Sequence, residues 1–340
     1  EWAPNEKVSV DVAVGAAYAG RRALAAMKHV GVNVAADSVF YASMTGLEAG
    51  LVIVTADDPG MHSSQNEQDN RRYAKFARIP CLEPSDSQEA KDMVAEALTI
   101  SEEFDTPVFL RLTTRICHSS TPVELGDQAP TDPEPDKFPR NPAKYVMVPG
   151  NARKRHPVIE QRIARLAQYA ETFGHNRVEW PGPAGAKAPV GIVTCGVAYQ
   201  YAREILPEAS ILRLGMTYPL PRRLVREFAS KVERLIVIEE LDPFLEEEIK
   251  LMGVKCEGKS IFPLCGEFDP CVVRESAVAA GLLPESAHLP PTQSAVKDSA
   301  MPEVPPRPPV LCPGCPHRSV FHILNKRRVP VAGDIGCYTL

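Results

Sequence analysis

The sequence lacks the features that mark membrane proteins and nucleic-acid-binding proteins. No apolar run approaches the roughly 18–20 residues that a membrane-spanning helix needs. The chain has no excess of positive charge, since its formal net charge is −5, whereas a nucleic-acid-binding protein usually presents a basic surface. With 44% hydrophobic and 24% charged residues, the composition is that of an ordinary globular protein. We expect neither a membrane nor a nucleic acid as its partner.

Three motifs that often identify an enzyme are also absent: a Walker-type phosphate loop, a Gly-x-Gly-x-x-Gly element and the nucleophile elbow of serine hydrolases. No internal repeat with a period of about 20–50 residues is visible. The nine cysteines are odd in number and scattered along the chain, which does not fit the disulfide framework of a secreted protein. We therefore expect a cytoplasmic protein whose thiols are mostly buried.

Both ends of the chain lack the polar character of natural termini. The sequence begins at Glu1 and Trp2 rather than at a methionine, and it ends at Leu340, directly after a strand-like run. We expect two cut ends, so that the chain is a fragment of a longer protein. At 340 residues it is still long enough for two or three domains.

Strand-like and helix-like patterns alternate in the first third of the chain. Continuous apolar runs at 50–55 and 107–112 are typical of buried parallel strands. Between them, residues 89–104 have the pattern of an amphipathic helix, with Ser85 or Asp86 in the N-cap position. Strands that alternate with helices predict an α/β layer fold with a parallel sheet.

Changes in composition divide the chain into five segments. Residues 1–120 form the first α/β domain, and 121–188, where prolines crowd the first half, are predicted to be a connecting arm that wraps other domains without a core of its own. Residues 189–268 regain the α/β pattern and form a second, small domain. Residues 269–310 are rich in proline and suit a semi-extended linker. A third domain begins at 311–340.

The second domain is predicted to contain three strand–helix pairs. Each pair joins a short apolar run to a segment with helical periodicity. The strands are placed at 190–194, 210–214 and 234–238, and the helices that follow them at 197–205, 222–230 and 244–251.

Glu6 is the first candidate for chemistry. It stands at the head of a tightly packed helix that is predicted within residues 6–30, with small residues at helical spacing and a short strand at 25–29. The simplest interpretation is a first-turn glutamate that the helix dipole favours. The functional interpretation is a carboxyl group held against a cofactor nitrogen, because the small residues behind it let a ligand or another backbone come close.

Two polar loops are predicted beside one another at the edge of the first sheet. One runs from Asp57 to Asn70, directly after the strand at 50–55, and the other from His29 to Asp37. Ligands of open α/β sheets bind beyond the carboxyl ends of the strands. The alternative is a solvated loop with Asn, Asp and Gly turn chemistry. The candidate binding residues in the two loops are His29, Asn33, His62, Ser63, Ser64, Gln65 and Asn66.

Cys312, Cys315 and Cys337 are candidate metal ligands. A Cys-x-x-Cys turn brings two sulfurs to one metal, and Cys337 would supply a third. By spacing alone, an iron–sulfur cluster, a zinc ion, a redox pair and a purely structural turn all remain open. The redox pair is the weakest of these, because the motif follows a proline-rich segment and not a thioredoxin-like strand.

Six segments of the sequence together resemble the 2-oxoacid:ferredoxin oxidoreductase family, and most closely the large subunit of its indolepyruvate type. They are Glu1–Lys7, Met27–Asp37, Ala56–Asp69, Leu82–Asp86, Leu311–Arg318 and Gly333–Leu340. The likeness runs over nearly the whole chain. It is weaker from 121 to 310, where only the α/β pattern supports it.

The resemblance implies a modular thiamine-diphosphate enzyme. A domain that binds the aminopyrimidine of the cofactor comes first, followed by a transketolase-C-terminal-like domain and then by a domain that binds the diphosphate and Mg²⁺. Against that plan the chain lacks the first strand–helix unit, most of the diphosphate domain and a ferredoxin-like tail with further clusters. The implied reaction oxidatively decarboxylates an aryl 2-oxoacid such as indolepyruvate to its acyl-CoA. The implied partners are a small (beta) subunit, ferredoxin, the 2-oxoacid and coenzyme A.

The resemblance also assigns roles to individual residues. It places Glu6 on the family's catalytic glutamate, whose carboxyl group is hydrogen-bonded to the aminopyrimidine and moves a proton there. The candidate residues of the two loops become cofactor-binding residues. Cys312, Cys315 and Cys337 match the first three cysteines of the pattern that binds a [4Fe-4S] cluster in pyruvate-type relatives.

One departure from the family concerns the substrate. Pyruvate-type relatives carry an arginine for the substrate carboxylate near the end of the strand that corresponds to 50–55, where this chain reads Thr55–Asp57. Pyruvate is therefore disfavoured as the substrate. Two other functions stay open: a transketolase-like or decarboxylase enzyme, which the cysteine motif disfavours, and a non-catalytic α/β module with a structural zinc.

Overall fold

The computed structural model describes residues 1–126, 140–182, 187–287 and 311–331. The chain falls into two compact units, Glu1–Leu289 and Pro290–Leu340. Among the helices that the structure describes, none combines the length and the apolar character that crossing a bilayer requires.

The first unit contains a five-stranded sheet with the strand order β1-β2-β4-β3-β8. The strands are β1 (Ala23–Lys28), β2 (Leu51–Asp57), β3 (Cys81–Leu82), β4 (Val108–Thr113) and β8 (Met216–Tyr218). The first four pair in parallel, and β8 joins the edge of β3 in the antiparallel sense. The two apolar runs form the central strands β2 and β4 as predicted, because both faces of a parallel sheet are covered and the strands are buried almost throughout.

Five helices accompany the parallel strands. They are α1 (Glu6–Tyr18), α2 (His29–Thr45), α3 (Arg71–Ala77), α4 (Ser87–Phe104) and α5 (Thr114–His118). The side chain of Asp86 accepts a hydrogen bond from the backbone N–H of Glu89 and caps α4, which confirms Asp86 as the N-cap. Asn5 caps α1 in the same way through the N–H of Val8. The prediction of an α/β fold with a parallel sheet is confirmed.

One of the two loop predictions is wrong. Residues His29–Asp37 do not form a loop but the first half of α2. Fully buried small residues recur at helical spacing through this segment, at Val32, Ala35, Val39 and Ala42. This period of three and four residues favours a helix that packs closely on its neighbours, and the polar side chains between them misled the sequence analysis.

A second sheet lies in the same unit, with the strand order β5-β7-β6-β9. Its strands are β5 (Arg177–Glu179), β6 (Ala188–Cys195), β7 (Ser210–Leu214) and β9 (Val232–Ile238), and its helices include α8 (Ala198–Ile205), α9 (Arg222–Ser230) and α10 (Phe244–Leu251). All three predicted strand–helix pairs are confirmed. The short strand β5, which pairs antiparallel with β7, has no signal in the sequence.

The segment predicted to be a coreless arm contributes to the core instead. After the short α6 (Pro142–Tyr145), the segment forms the long helix α7 (Pro149–Ala170). Leu166 and Ala170 are fully buried and belong to the same apolar cluster as Phe104 of α4 and Leu110 of β4. The helix is amphipathic, so its apolar face must be covered, and the first sheet layer covers it.

The start of the proline-rich linker was predicted too early in the chain. Residues Pro270–Ala279 form helix α11, which Asp269 caps through the N–H of Val272. Val273 and Ala277 are fully buried against the second sheet. The prolines cluster only from residue 284 onward, so proline density is no argument against a helix at 270–279. Most of the remaining segment, from 288 to 310, lies outside the described residues. In the second unit the structure describes one helix, α12 (His317–Arg327).

Candidate functional site

Three strand ends meet at one edge of the first sheet. In the parallel register Lys28 of β1 pairs with Ala56 of β2, and Asp57 of β2 pairs with Thr113 of β4. All three strands therefore deliver their last residues to the same edge, which is where ligands of open α/β sheets bind. The polar loop that follows β2, residues 58–70, lies at this edge.

Glu6 also lies at this edge, beside the first turn of α2. It is half-buried in the first turn of α1, and its side chain lies directly over Gly31 of α2. A Cβ atom on Gly31 would lie 2.5 Å from Cγ of Glu6 and 3.0 Å from its Oε1. Within the described residues the Glu6 carboxylate has no hydrogen-bond or ion-pair partner, so it is available to a ligand.

The start of α2 and the polar loop are joined by hydrogen bonds. The fully buried His29 places Nε2 3.1 Å from the backbone oxygen of Asn66. Gln68 donates through Nε2 to the backbone oxygen of His29 at 2.8 Å and exchanges hydrogen bonds with the side chain of Asn33. Asn33 is itself exposed and also accepts a bond from Tyr73 at 2.7 Å. The structure thus brings His29, Asn33 and Asn66 together, with Gln68 between them.

Asp58 organises the first half of the loop. Four hydrogen bonds converge on its carboxylate, from the backbone N–H groups of His62 and Ser63 and from the hydroxyls of Ser64 and Thr114. Burial opposes ionisation, but these bonds outweigh it and lower the pKa of Asp58 to about 2. The charged carboxylate therefore fixes the positions of the predicted residues Ser63 and Ser64.

The side chains of His62 and Gln65 take no part in these hydrogen bonds. The ring Nε2 of His62 lies 3.0 Å from Oε2 of Glu267, which also accepts a bond from Arg115 at 2.7 Å. Gln65 is exposed. Glu267 follows the second sheet in the chain, so this contact attaches the tip of the loop to a distant part of the sequence.

Two fully buried arginines tie both ends of the loop to the interior. Arg111 of β4 donates to Asp57 at 2.6 Å, where the loop starts, and to Glu83 at 2.5 Å. Arg71, where the loop ends, donates through Nη1 to Glu239 at 2.7 Å. It also binds Asp69 by a bidentate contact, within an ion-pair network where side-chain exposure is 2% or less.

This buried network spans the two sheets, because Glu239 follows β9 and Glu83 follows β3. Burial raises the pKa of Asp57 to about 6, against the opposing charge of Arg111. Burial also opposes the ionised form of Asp69, but Arg71 and Arg111 outweigh it and lower its pKa to about 2. Asp57 therefore binds a proton more tightly than Asp69 does. The ion pairs at both ends of the loop are buried, so water does not screen them, and they fix the loop in place.

Several buried polar atoms at this edge lack a partner within the described residues. They include Nδ1 of His29, Oδ1 of Asn66 and Oδ1 of Asp57. Buried polar groups are normally hydrogen-bonded, so an unpaired one calls for a missing partner. These atoms and the Glu6 carboxylate are unpaired polar groups that this edge can offer to a ligand.

The cysteine motif belongs to the second unit. The backbone N–H of Cys315 donates to the oxygen of Cys312 at 3.0 Å, and Gly314 has a φ of +78°, which glycine adopts without strain. The prediction that the two cysteines share one tight turn is confirmed. Cys337 lies outside the described residues. Within the parts of the chain that are described, no three potential metal ligands come together, and a cluster here stays a prediction.

The sequence analysis missed several residues that shape this edge. Arg111 had a signal, since an arginine inside an apolar strand requires buried partners. Lys28 could have been found from its place at the end of a predicted strand. Arg71, Glu239 and Glu267 had none, because the contacts from Arg71 to Glu239 and from His62 to Glu267 join residues more than 150 positions apart.

A comparison with protein families finds a match to the model described as "Pyruvate flavodoxin/ferredoxin oxidoreductase, thiamine diP-bdg" over residues 3–174. This range includes Glu6, both predicted loops and the whole edge formed by β1, β2 and β4. The matched range is about half of the chain.

Curated relatives match over its full length. Proteins named indolepyruvate oxidoreductase subunit IorA from Archaeoglobus fulgidus and Pyrococcus horikoshii are each 41% identical to it, and one from Methanothermobacter thermautotrophicus is 38% identical. Each alignment covers 100% of this chain but only 54–56% of the relative. The chain therefore spans slightly more than half the length of these relatives.

Two solved structures share the fold. A 2-oxoglutarate:ferredoxin oxidoreductase from Magnetococcus marinus superposes with a TM-score of 0.61 at 17% identity, over 82% of this chain and 56% of that one. A split-gene transketolase superposes with a TM-score of 0.51 at 17% identity, over 81% and 80%. Both likenesses concern the arrangement of sheets and helices.

Proposed function

Because this chain belongs to the pyruvate flavodoxin/ferredoxin oxidoreductase family, we propose that it forms part of an indolepyruvate-type enzyme. The reaction converts an aryl 2-oxoacid to its acyl-CoA with loss of CO₂, and the electrons pass to ferredoxin. The names of the relatives that match the full length support the aryl substrate. The missing arginine at Thr55–Asp57 agrees with a substrate other than pyruvate.

The observation that carries this proposal is the position of Glu6. Its carboxylate lies over Gly31 at the carboxyl edge of the sheet, without a partner in the described residues. In this position it can hold a proton against a ring nitrogen of the cofactor, which is the role of a general acid–base group. Gly31 leaves room for the side chain, because any larger residue would occupy the same space.

The residues at this edge fit the aminopyrimidine of thiamine diphosphate. Nδ1 of His29 and Oδ1 of Asn66 are buried and unpaired, and they offer the donors and acceptors that such a ring requires. When bound, the cofactor supplies the nucleophilic carbon that attacks the 2-oxo group and the electron sink that allows CO₂ to leave. His62, Ser63, Ser64 and Gln65 would line the approach to the ring.

Other parts of the enzyme would complete the site. We assign residues 1–120 to the aminopyrimidine-binding domain, 189–268 to a transketolase-C-terminal-like domain and 311–340 to the start of the diphosphate-binding domain. Mg²⁺ and most ligands of the [4Fe-4S] clusters would come from outside this chain. The proposed partners are a small subunit, ferredoxin and coenzyme A.

The proposal is tested with the full-length large subunit together with its small subunit. Indolepyruvate should drive reduction of ferredoxin only when thiamine diphosphate and coenzyme A are present, and pyruvate should be a poor substrate. Metal analysis of the same preparation should find iron and sulfide. An enzyme that contains zinc alone and reduces no acceptor would support the non-catalytic alternative.

Gly31→Ala provides a separate test of the Glu6 position. Alanine favours a helix over glycine by roughly 1 kcal/mol, which offsets part of the cost of moving the Glu6 side chain, so the variant should still fold. Its Cβ would lie 2.5 Å from Cγ of Glu6 and must push that side chain aside. We expect oxidoreductase activity to fall at least about 10-fold, because a misplaced catalytic group costs rate without costing stability.

The matched control is Gly15→Ala in α1, where a Cβ would meet no atom within 4 Å. This variant should gain a similar helical stability and keep its activity. Thermal unfolding and steady-state rates of the two variants separate the effects. Full activity of Gly31→Ala would show that the position of Glu6 is not critical.

A further inference from the structure

A small cavity opens at the carboxyl ends of β1, β2 and β4. Its volume is about 200 Å³, and the side chains around it include Lys28, Asp58, Ser63, Thr114 and His118. Sites for drug-sized ligands measure roughly 300–1,000 Å³, so this cavity suits a small metabolite or one end of it. It adjoins the Glu6 site, because Lys28 directly precedes the first residue of α2.

The two acidic residues of the cavity already accept hydrogen bonds from the protein. Asp57 accepts a hydrogen bond from Arg111 at 2.6 Å. Asp58 accepts four hydrogen bonds within its own loop and with Thr114. These donors stabilise the negative charge of Asp58 within its own loop and that of Asp57 at Arg111, which weakens the repulsion of an anion that enters.

Among the described residues that line the cavity, Lys28 alone carries a permanent positive charge. Its Nζ donates to the backbone oxygen and to the hydroxyl of Ser63, the latter at 3.2 Å, and lies 3.9 Å from Asp58. Its side chain is 36% exposed, so the ammonium group reaches solvent at the mouth of the cavity. An incoming carboxylate could accept hydrogen bonds from this ammonium group and from the Ser63 hydroxyl.

We propose that Lys28 binds the carboxylate of the 2-oxoacid substrate. This inference rests on the proposed function and names the substrate contact within it. The strand β2 carries no arginine at its end, and the parallel register pairs Lys28 with Ala56 of that strand. The positive charge thus stands at the same edge of the sheet but on the neighbouring strand.

The test is Lys28→Met in the full-length enzyme with its small subunit. The KM for the aryl 2-oxoacid should rise roughly 10- to 100-fold, the loss expected for a hydrogen bond to a charged group. The Kd of thiamine diphosphate should stay within about 2-fold of the wild type, since the ammonium group is assigned to the substrate. Lys28→Arg keeps the charge and should recover part of the affinity.

Binding is measured independently of turnover with an aryl propionate, a carboxylate that lacks the oxo group and cannot react. Calorimetry should detect its binding to the wild type and a loss of at least about 10-fold in Lys28→Met. The matched control is Lys91→Met. Lys91 lies on α4, contacts Asp92 at 2.9 Å, and has a side chain that is 38% exposed. It therefore matches Lys28 in exposure and in having an acidic neighbour, but it does not line the cavity.

The outcomes separate this inference from the proposed function. An unchanged KM and unchanged propionate affinity in Lys28→Met would overturn the inference while the enzyme keeps its activity. A raised Kd for thiamine diphosphate with an unchanged KM would overturn it too, because Lys28 would then serve the cofactor. A wild-type enzyme without oxoacid-dependent activity would overturn the proposed function, whereas propionate binding that depends on Lys28 would still support a carboxylate site.

Discussion

Glu6→Gln should lower oxoacid-dependent reduction of ferredoxin by about 10²–10⁴-fold, the range that general acid–base groups contribute. Glutamine keeps the length and volume of the side chain, so it still fits over Gly31. It has no ionisable proton, so it cannot move one at the cofactor ring. The measurement is the steady-state rate of the full-length enzyme, with the Kd of thiamine diphosphate determined in parallel.

The same variant distinguishes the two interpretations of Glu6. If the residue serves only the first turn of α1, its loss removes a favourable charge near the helix N-terminus, worth roughly 0.3–1 kcal/mol, and the rate is unchanged. If it is catalytic, the rate falls and stability changes little. Glu103→Gln, an exposed position on α4, is the control and should behave like the wild type. A Glu6→Gln enzyme with wild-type turnover would remove Glu6 from the mechanism.

Much of the fold could be predicted from local patterns. The apolar runs of β2 and β4 are continuous because both faces of a parallel strand are buried. Helices α9 and α10 begin and end at the predicted residues, because a proline directly precedes each helix and a compact amphipathic repeat follows it. In these elements the sequence period and the tertiary environment favour the same structure.

The elements that the sequence analysis missed have no such local signal. Strands β3 and β8 are two and three residues long, too short for a visible period, and they exist because they pair with each other at the edge of the sheet. The loop at 57–70 was predicted to be polar and at the edge. Its attachments to Glu239 and Glu267 depend on contacts across more than 150 residues, which no local pattern contains.

Arg71→Met should be the most destabilising single change proposed for this protein. The guanidinium group of Arg71 is fully buried and binds Asp69 and Glu239. Methionine fills much of the space but leaves Glu239 buried without its ion-pair partner and Asp69 with only the more distant Arg111, 3.7 Å away. Removing one partner of a buried ion pair typically costs about 3–5 kcal/mol, and here one arginine serves two acids. The free energy of unfolding, measured with urea, should fall by at least this amount.

The pH dependence of the variant identifies the cause. Burial already raises the pKa of Glu239 against the charge of Arg71, so without Arg71 this pKa rises further above its value in the unfolded chain, and protonation favours the folded state. The stability deficit should therefore be largest at neutral pH and should shrink as the pH falls below that raised pKa. Arg223→Met removes an exposed i,i+4 pair with Glu227 and should cost no more than about 0.5 kcal/mol at any pH. A deficit below about 1 kcal/mol in Arg71→Met would mean that water or movement of the loop replaces the lost cation, and the loop at 57–70 would then not depend on this network for its position.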